Sequence, residues 1–280
     1  MKNSMTKNSI KLFKTTLIAL AVSQSAHAAV ISFGGQAATD GSGKTSLRIN
    51  ADNTINSLSD GYFVETFDKA TAIDALPLTQ DESYNVAGSS NGCAINSPLM
   101  VTASGSSVLN VRKGSSRNVA AAPAGDSSCY AYTTPSTVGV DSFVDIDYTN
   151  FLDSIGTTVP SLAGSNVNYL GFYWGSVDTY NSFEFYSNDV LVGKITGAEL
   201  LAELNGNAGN QVADSSNVYV NIAFDANEAF NRLRVISSGV AGEFDNIVVG
   251  LDKRDVPAPT SLAILGLGLL GLGVGKRFKK

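Results

Sequence analysis

Short runs of alternating apolar and polar residues, broken every few positions by Asn, Gly, Asp or Ser, recur through the middle of this 280-residue chain. Period-two alternation is what a half-buried strand requires, because successive side chains point to opposite faces of a sheet. In Val144-Asp145-Ile146-Asp147-Tyr148 the apolar residues share one face and the aspartates the other. Phe183-Glu184-Phe185 alternates likewise, and Ser187-Asn188-Asp189 supplies a turn into Val190-Leu191-Val192. Val218, Val220, Ile222 and Phe224 fall on one face. Asp245, Ile247, Val249 and Leu251 share another, while Val248 makes that strand apolar on both sides. Strands this short and this closely spaced predict an all-β chain, an antiparallel β-sandwich of jelly-roll type. One short helix is expected over Gly197–Leu204, with Thr196 as its N-cap and Gly206 as its stop.

Both ends depart from this pattern. Residues 1–28 carry four lysines, then the apolar run Leu17-Ile18-Ala19-Leu20-Ala21-Val22, then Ala26-His27-Ala28. That order is a secretory signal peptide with a small-x-small cleavage site, cut before Ala29. His27 is the single histidine of the chain, so the mature protein is expected to contain none. The body, residues 29–255, forms the secreted domain. At the other end, residues 256–280 begin with Val256-Pro257-Ala258-Pro259. A Gly/Leu-rich stretch from Ser261 to Gly275 and the basic tail Lys276-Arg277-Phe278-Lys279-Lys280 follow. As a helix the uncharged stretch would be roughly 22 Å long, short of a ~30 Å hydrocarbon core, which suits transient rather than permanent insertion. The tail should stay cytoplasmic by the positive-inside bias.

This C-terminal architecture resembles the PEP-CTERM sorting signal, with Ala258 standing where the usual motif has Glu. The resemblance implies export through the secretion translocon and transient insertion in the inner membrane. It further implies processing by an exosortase and delivery to the outer surface or exopolysaccharide matrix of a Gram-negative bacterium. Asn168–Phe185 holds the only tryptophan and the run Gly171-Phe172-Tyr173-Trp174-Gly175-Ser176, followed by Asp178, Tyr180 and Asn181. With Tyr219-Val220-Asn221 and Gly242-Glu243-Phe244-Asp245-Asn246-Ile247, it is similar to a family of exosortase-dependent surface proteins carrying a GFYWGS-D-YN element. That likeness, over about Asn168 to Lys280, implies a β-sandwich surface protein without an established reaction.

Charge and motif content exclude several function classes. Eight of the 19 basic residues sit in the two ends, leaving 11 against all 25 acidic residues in the body. A body that acidic is a poor nucleic-acid binder. Gly266-Leu267-Gly268-Leu269-Leu270-Gly271 fits a dinucleotide fingerprint but lies in the apolar terminal stretch, without the βαβ context. Gly88-Ser89-Ser90-Asn91-Gly92 fits a nucleophile elbow, but its flanks are loop-like and no histidine base remains. Two cysteines without histidine cannot build a usual zinc site. In an oxidising compartment Cys93 and Cys129 are best read as one disulfide, free thiols being the alternative.

The aromatic block offers two readings. Tyr173, Trp174 and Tyr180, with Asp178 and Asn181, could form a sugar-stacking platform. The competing reading packs Phe172 and Trp174 into the core, which is favoured for strand aromatics, and gives Asp178 and Asn181 turn roles or ligand contacts equally. By analogy with carbohydrate-binding jelly rolls, Glu65 or Asp68 could meet Asp245 around a structural Ca²⁺, since oxygen-only ligation suits calcium. The favoured alternative is solvated or hydrogen-bonded carboxylates, and no other cofactor is expected. The leading expectation is therefore a non-enzymatic, exported β-sandwich of the surface or matrix that binds polysaccharide. The alternatives are a structural envelope component or a glycan-cleaving enzyme whose carboxylate pair comes from Glu65, Asp178, Glu184 and Asp245. Such an enzyme needs its two carboxyls across one groove.

Overall fold

The computed structural model describes residues 29–68, 93, 102–107, 109–225 and 228–253. The leader and the sorting segment, with Val256 to Pro259, lie outside the described residues. In chain order the strands begin with β1 (Val30–Phe33), β2 (Gln36–Ala37), β3 (Lys44–Thr45), β4 (Tyr62–Glu65), β5 (Thr102–Gly105), β6 (Asn110–Lys113), β7 (Cys129–Thr133) and β8 (Ser142–Asp147). Helix α1 (Thr149–Thr158) precedes β9 (Ser165–Gly175), β10 (Asn181–Ser187) and β11 (Val190–Thr196). Helix α2 (Gly197–Leu204) leads to β12 (Val218–Ala223), β13 (Arg232–Ser237) and β14 (Gly242–Lys253).

The strands build an antiparallel β-sandwich. One sheet runs β1-β12-β9-β14-β7-β6, and β4 also pairs with β14; the other runs β11-β10-β13-β8-β5. Phe172 and Trp174 of β9 and Phe244 and Val249 of β14 meet Val144, Phe183, Phe185 and Val235 of the second sheet in one continuous core. Rings interlock there: Trp174 stands edge-on to Phe183 at 4.6 Å between centroids, and Phe183 lies 4.4 Å from Phe172. Trp174 is wholly buried.

β14 organises the first sheet. β9 pairs along one of its sides, while β7 and β4 share the other end to end, at Gly242–Phe244 and Ile247–Gly250 respectively. Between them the register shifts, and Asn246 adopts φ 49, a left-handed conformation that Asn tolerates better than most residues. This bulge overturns the expected face of Asp245. Phe244, Ile247 and Val249 all enter the core, whereas Asp245 points to the outer face of the sheet.

That outer face is not open to water. Residues between β1 and β4, and those between β6 and β7, fold over it. Ile49 packs with Val64, Tyr169 and Val248. Ala120 packs with Tyr130, Tyr132 and Ala241. Asn246 Nδ2 donates to Ser42 Oγ at 2.8 Å and to the Lys44 carbonyl at 2.9 Å, and the Tyr173 hydroxyl donates to the Ala124 carbonyl at 2.7 Å.

Helix α2 matches its expected span and is started by a capping box between Thr196 and Glu199. A second helix, α1, was not expected. It buries only Phe151 and Ile155, one turn apart, and lacks a side-chain N-cap.

The outward face of the second sheet carries a charged row. Asp145, Arg234, Glu184 and Lys194 are successive cross-strand neighbours. Arg234 grips Asp145 through two bonds of 2.7 and 2.8 Å, with its guanidinium 4.0 Å from the Phe143 ring centroid. Burial opposes ionisation of Asp145, but the hydrogen bonds from Arg234 and Arg232 prevail and hold its carboxyl below the usual range. Arg234→Ala is expected to lower stability by about 2 kcal/mol, through the loss of the fork to a buried carboxylate that keeps only its 2.8 Å bond from Arg232. Urea denaturation at neutral pH measures it, with Arg234→Lys recovering only part of the loss because an ammonium lacks the fork.

Candidate functional site

The segment joining β9 to β10 is built for tightness. Val177 N–H donates to the Ser216 carbonyl, Asn181 N–H returns to the Asp178 carbonyl, and Ser176 sits at φ 35 with its N–H donated to Asn217 Oδ1. A Cβ on Gly197, the first residue of α2, would collide with the Asp178 carbonyl, so this close approach requires glycine. The turn thereby brings Asp178 beside the start of β14.

There it lines a cleft of about 660 Å³. Glu243 and Ser176 line the cleft beside Asp178, with Gly209 and Gln211 on the same side; the residues from Ser115 to Ala121 contribute the rest, and Val240 lies at the rim. Glu243 is only 2% exposed. Its Oε1 accepts the Ala121 N–H at 2.8 Å and its Oε2 the Ser176 hydroxyl at 3.1 Å. Burial pushes the Glu243 carboxyl up to about 8, against the lowering effect of those two bonds and with a further rise from the Asp178 charge. Burial likewise raises Asp178, although the Tyr180 hydroxyl, 2.6 Å from Asp178 Oδ2, favours the ionised form. Two carboxyls, both raised by burial, thus face one cleft.

The other residues singled out from the sequence fall into distinct places. Tyr180 and Asn181 act as clamps: the Tyr180 hydroxyl reaches the Val240 carbonyl at 2.8 Å, and Asn181 Nδ2 donates to the Ala241 carbonyl at 2.9 Å. Trp174 lies in the core and Tyr173 beneath the overlying loops, both at 0% exposure, so neither presents a ring face to a sugar. The stacking platform is not formed, for a physical reason: β9 is a central strand covered on both faces.

The residues suggested for calcium are also separated. Glu65 lies at 2% exposure on the core side of β4, with Oε1 accepting the Phe67 N–H at 2.7 Å. Asp245 is on the opposite face of the sheet because of the Asn246 bulge. Asp68 Oδ1 accepts the Cys129 N–H at 3.1 Å. No group of three or more His, Cys, Asp or Glu side chains among the described residues is placed to hold a metal ion. Glu184 is engaged with Lys194 at 3.0 Å on the far sheet, and of the four suggested carboxylates Asp178 alone lines the cleft described above. Asp178 has a different partner, Glu243, which sequence reasoning missed. The available signal was its place in Gly242-Glu243-Phe244: alternation with a core phenylalanine puts the glutamate on the other face of the strand.

Cys93 and Cys129 are joined in a disulfide. No helix among the described residues is long and apolar enough to cross a membrane. Comparison with known families finds the PEP-CTERM protein-sorting motif at residues 255–277. No curated protein and no solved structure matches the chain.

Proposed function

We propose that this chain, which carries an exosortase-dependent sorting signal for export to the cell surface or extracellular space, works there as a non-enzymatic β-sandwich component of the surface or matrix. The sorting motif is the observation that carries the reading. The rest of the chain suits the same destination: a disulfide belongs to an oxidising compartment, and a leader of secretory type precedes the sandwich. Non-enzymatic action is supported by the way the acidic side chains are used. Asp145 and Glu184 are locked to arginine and lysine, and Asp68 holds a backbone N–H of the disulfide cysteine.

Mass spectrometry of the protein from cells with and without the exosortase tests this directly. In the presence of the protease, the expected species begins at Ala29 and has lost the basic tail. Without it, or with residues 256–280 deleted, the species bearing the processed C-terminus is absent from the surface fraction. An uncut chain found only in the cytoplasm, with His27 retained, overturns the reading.

A further inference from the structure

The cleft between the residues following Gly114 and the β9–β10 turn has a use that burial in a packed domain does not require. Its volume falls in the ~300–1,000 Å³ range of small-ligand sites. Its chemistry is selective. Ser116, Asn118, Gln211, Asp178 and Glu243 offer hydroxyl, amide and carboxyl groups, with Arg117 the one cation among the lining residues and no aromatic ring among them. Asp178 and Glu243 sit opposite a single guanidinium, so nothing in the lining gathers positive charge for an anion. An apolar ligand would leave most of these groups without partners. Glu243 narrows the choice further. Its carboxyl is pushed up to about 8 by burial, so near neutral pH the cleft presents one neutral acid and one carboxylate rather than two negative charges. That pairing suits a ligand that both donates and accepts hydrogen bonds without carrying charge.

We propose that this cleft binds a neutral, hydroxyl-rich ligand, a saccharide segment, with Asp178 and Gln211 as direct hydrogen-bonding residues and Glu243 as the buried polar group beneath them. Sugar hydroxyls donate to Asp178 and accept from the Gln211 amide and Arg117, with no bond made or broken. The inference rests on the cleft and not on the route of export, so it can fail while the proposed destination stands.

Isothermal titration calorimetry on the exported protein, with neutral glucan and galactan oligosaccharides as probes and calcium ions as a separate probe, decides it. Binding of a neutral oligosaccharide is expected, weakened about tenfold or more by Asp178→Ala, as the loss of a hydrogen bond to a charged group predicts. Gln211→Ala, at an exposed position that leaves the packing intact, is expected to weaken it severalfold. Lys194→Ala, on the far sheet, should leave it unchanged. No uptake of any oligosaccharide, equal affinity in the wild type and both cleft variants, or calcium binding lost in Asp178→Ala with the oligosaccharides ignored would each overturn the proposal.

Discussion

Cys129→Ser is expected to cost the fold about 4 kcal/mol. The bridge spans a sequence separation of 36, and in the chain-entropy account a loop of that length constrains the unfolded chain by about this amount. Its location adds to the effect. It joins the residue bridging Asp68, just past β4, to the first residue of β7, where these two strands hand over along the edge of β14. Asp68 accepts the Cys129 N–H at the same junction, and both cysteines lie in the main core. A serine hydroxyl there would also be buried. For a domain of this size the melting temperature should fall by roughly 10 °C. Thermal and denaturant melts of wild type with and without reductant, beside Cys129→Ser, measure it. A loss below about 1 kcal/mol would mean that strand pairing alone holds the junction.

The parts of this architecture visible in the sequence are those governed by local rules. The β10–β11 hairpin announces itself through Ser187-Asn188-Asp189, where Asn188 and Asp189 both take positive φ, as such turns demand. Val218, Val220, Ile222 and Phe224 are all buried on one face, and α2 begins at the predicted cap. What could not be read depends on long-range placement. The Asn246 bulge moves Asp245 across the sheet, yet a simple alternation through Asp245, Ile247 and Val249 looks regular in the sequence. The loops over the first sheet conceal Tyr173 and Tyr219, residues that a two-layer sandwich would expose. Their cover is polar and glycine-rich, and nothing periodic marks it as a layer. The cleft went unseen for the same reason, because Asp178 and Glu243 are 65 positions apart and meet only through the β9–β14 pairing.

Those concealed carboxyls set the second large effect, an unusual dependence of stability on pH. Glu243 is pushed up to about 8 by burial, against about 4.3 in an unfolded chain. Asp126, also through burial, rises to about 6. Asp245 is raised well above its ordinary value, by burial first and then by the charge of Asp126, against a lowering contact from the Asn246 backbone. In each case the folded state holds its proton after the unfolded state has released it. Folding therefore gains stability from these groups below about pH 4, and the gain is lost progressively as pH rises, through about 6 for Asp126 and about 8 for Glu243. For Glu243 alone the loss is on the order of 5 kcal/mol across that window. The Arg-held Asp145 acts in the opposite sense, since its lowered carboxyl contributes stability that disappears only as pH falls through the acid range. Greatest stability is thus expected at mildly acidic pH, with a steep decline toward pH 9. Urea denaturation at pH 5, 7 and 9 should show that decline in the wild type. Glu243→Gln, which keeps one acceptor oxygen for the Ala121 N–H and offers an amide N–H to the Ser176 hydroxyl, should flatten it, and Asp245→Asn should flatten it further. If wild type and both variants share one slope between pH 5 and 9, the two carboxyls are ionised inside the fold, and the neutral acid inferred for the cleft falls with them.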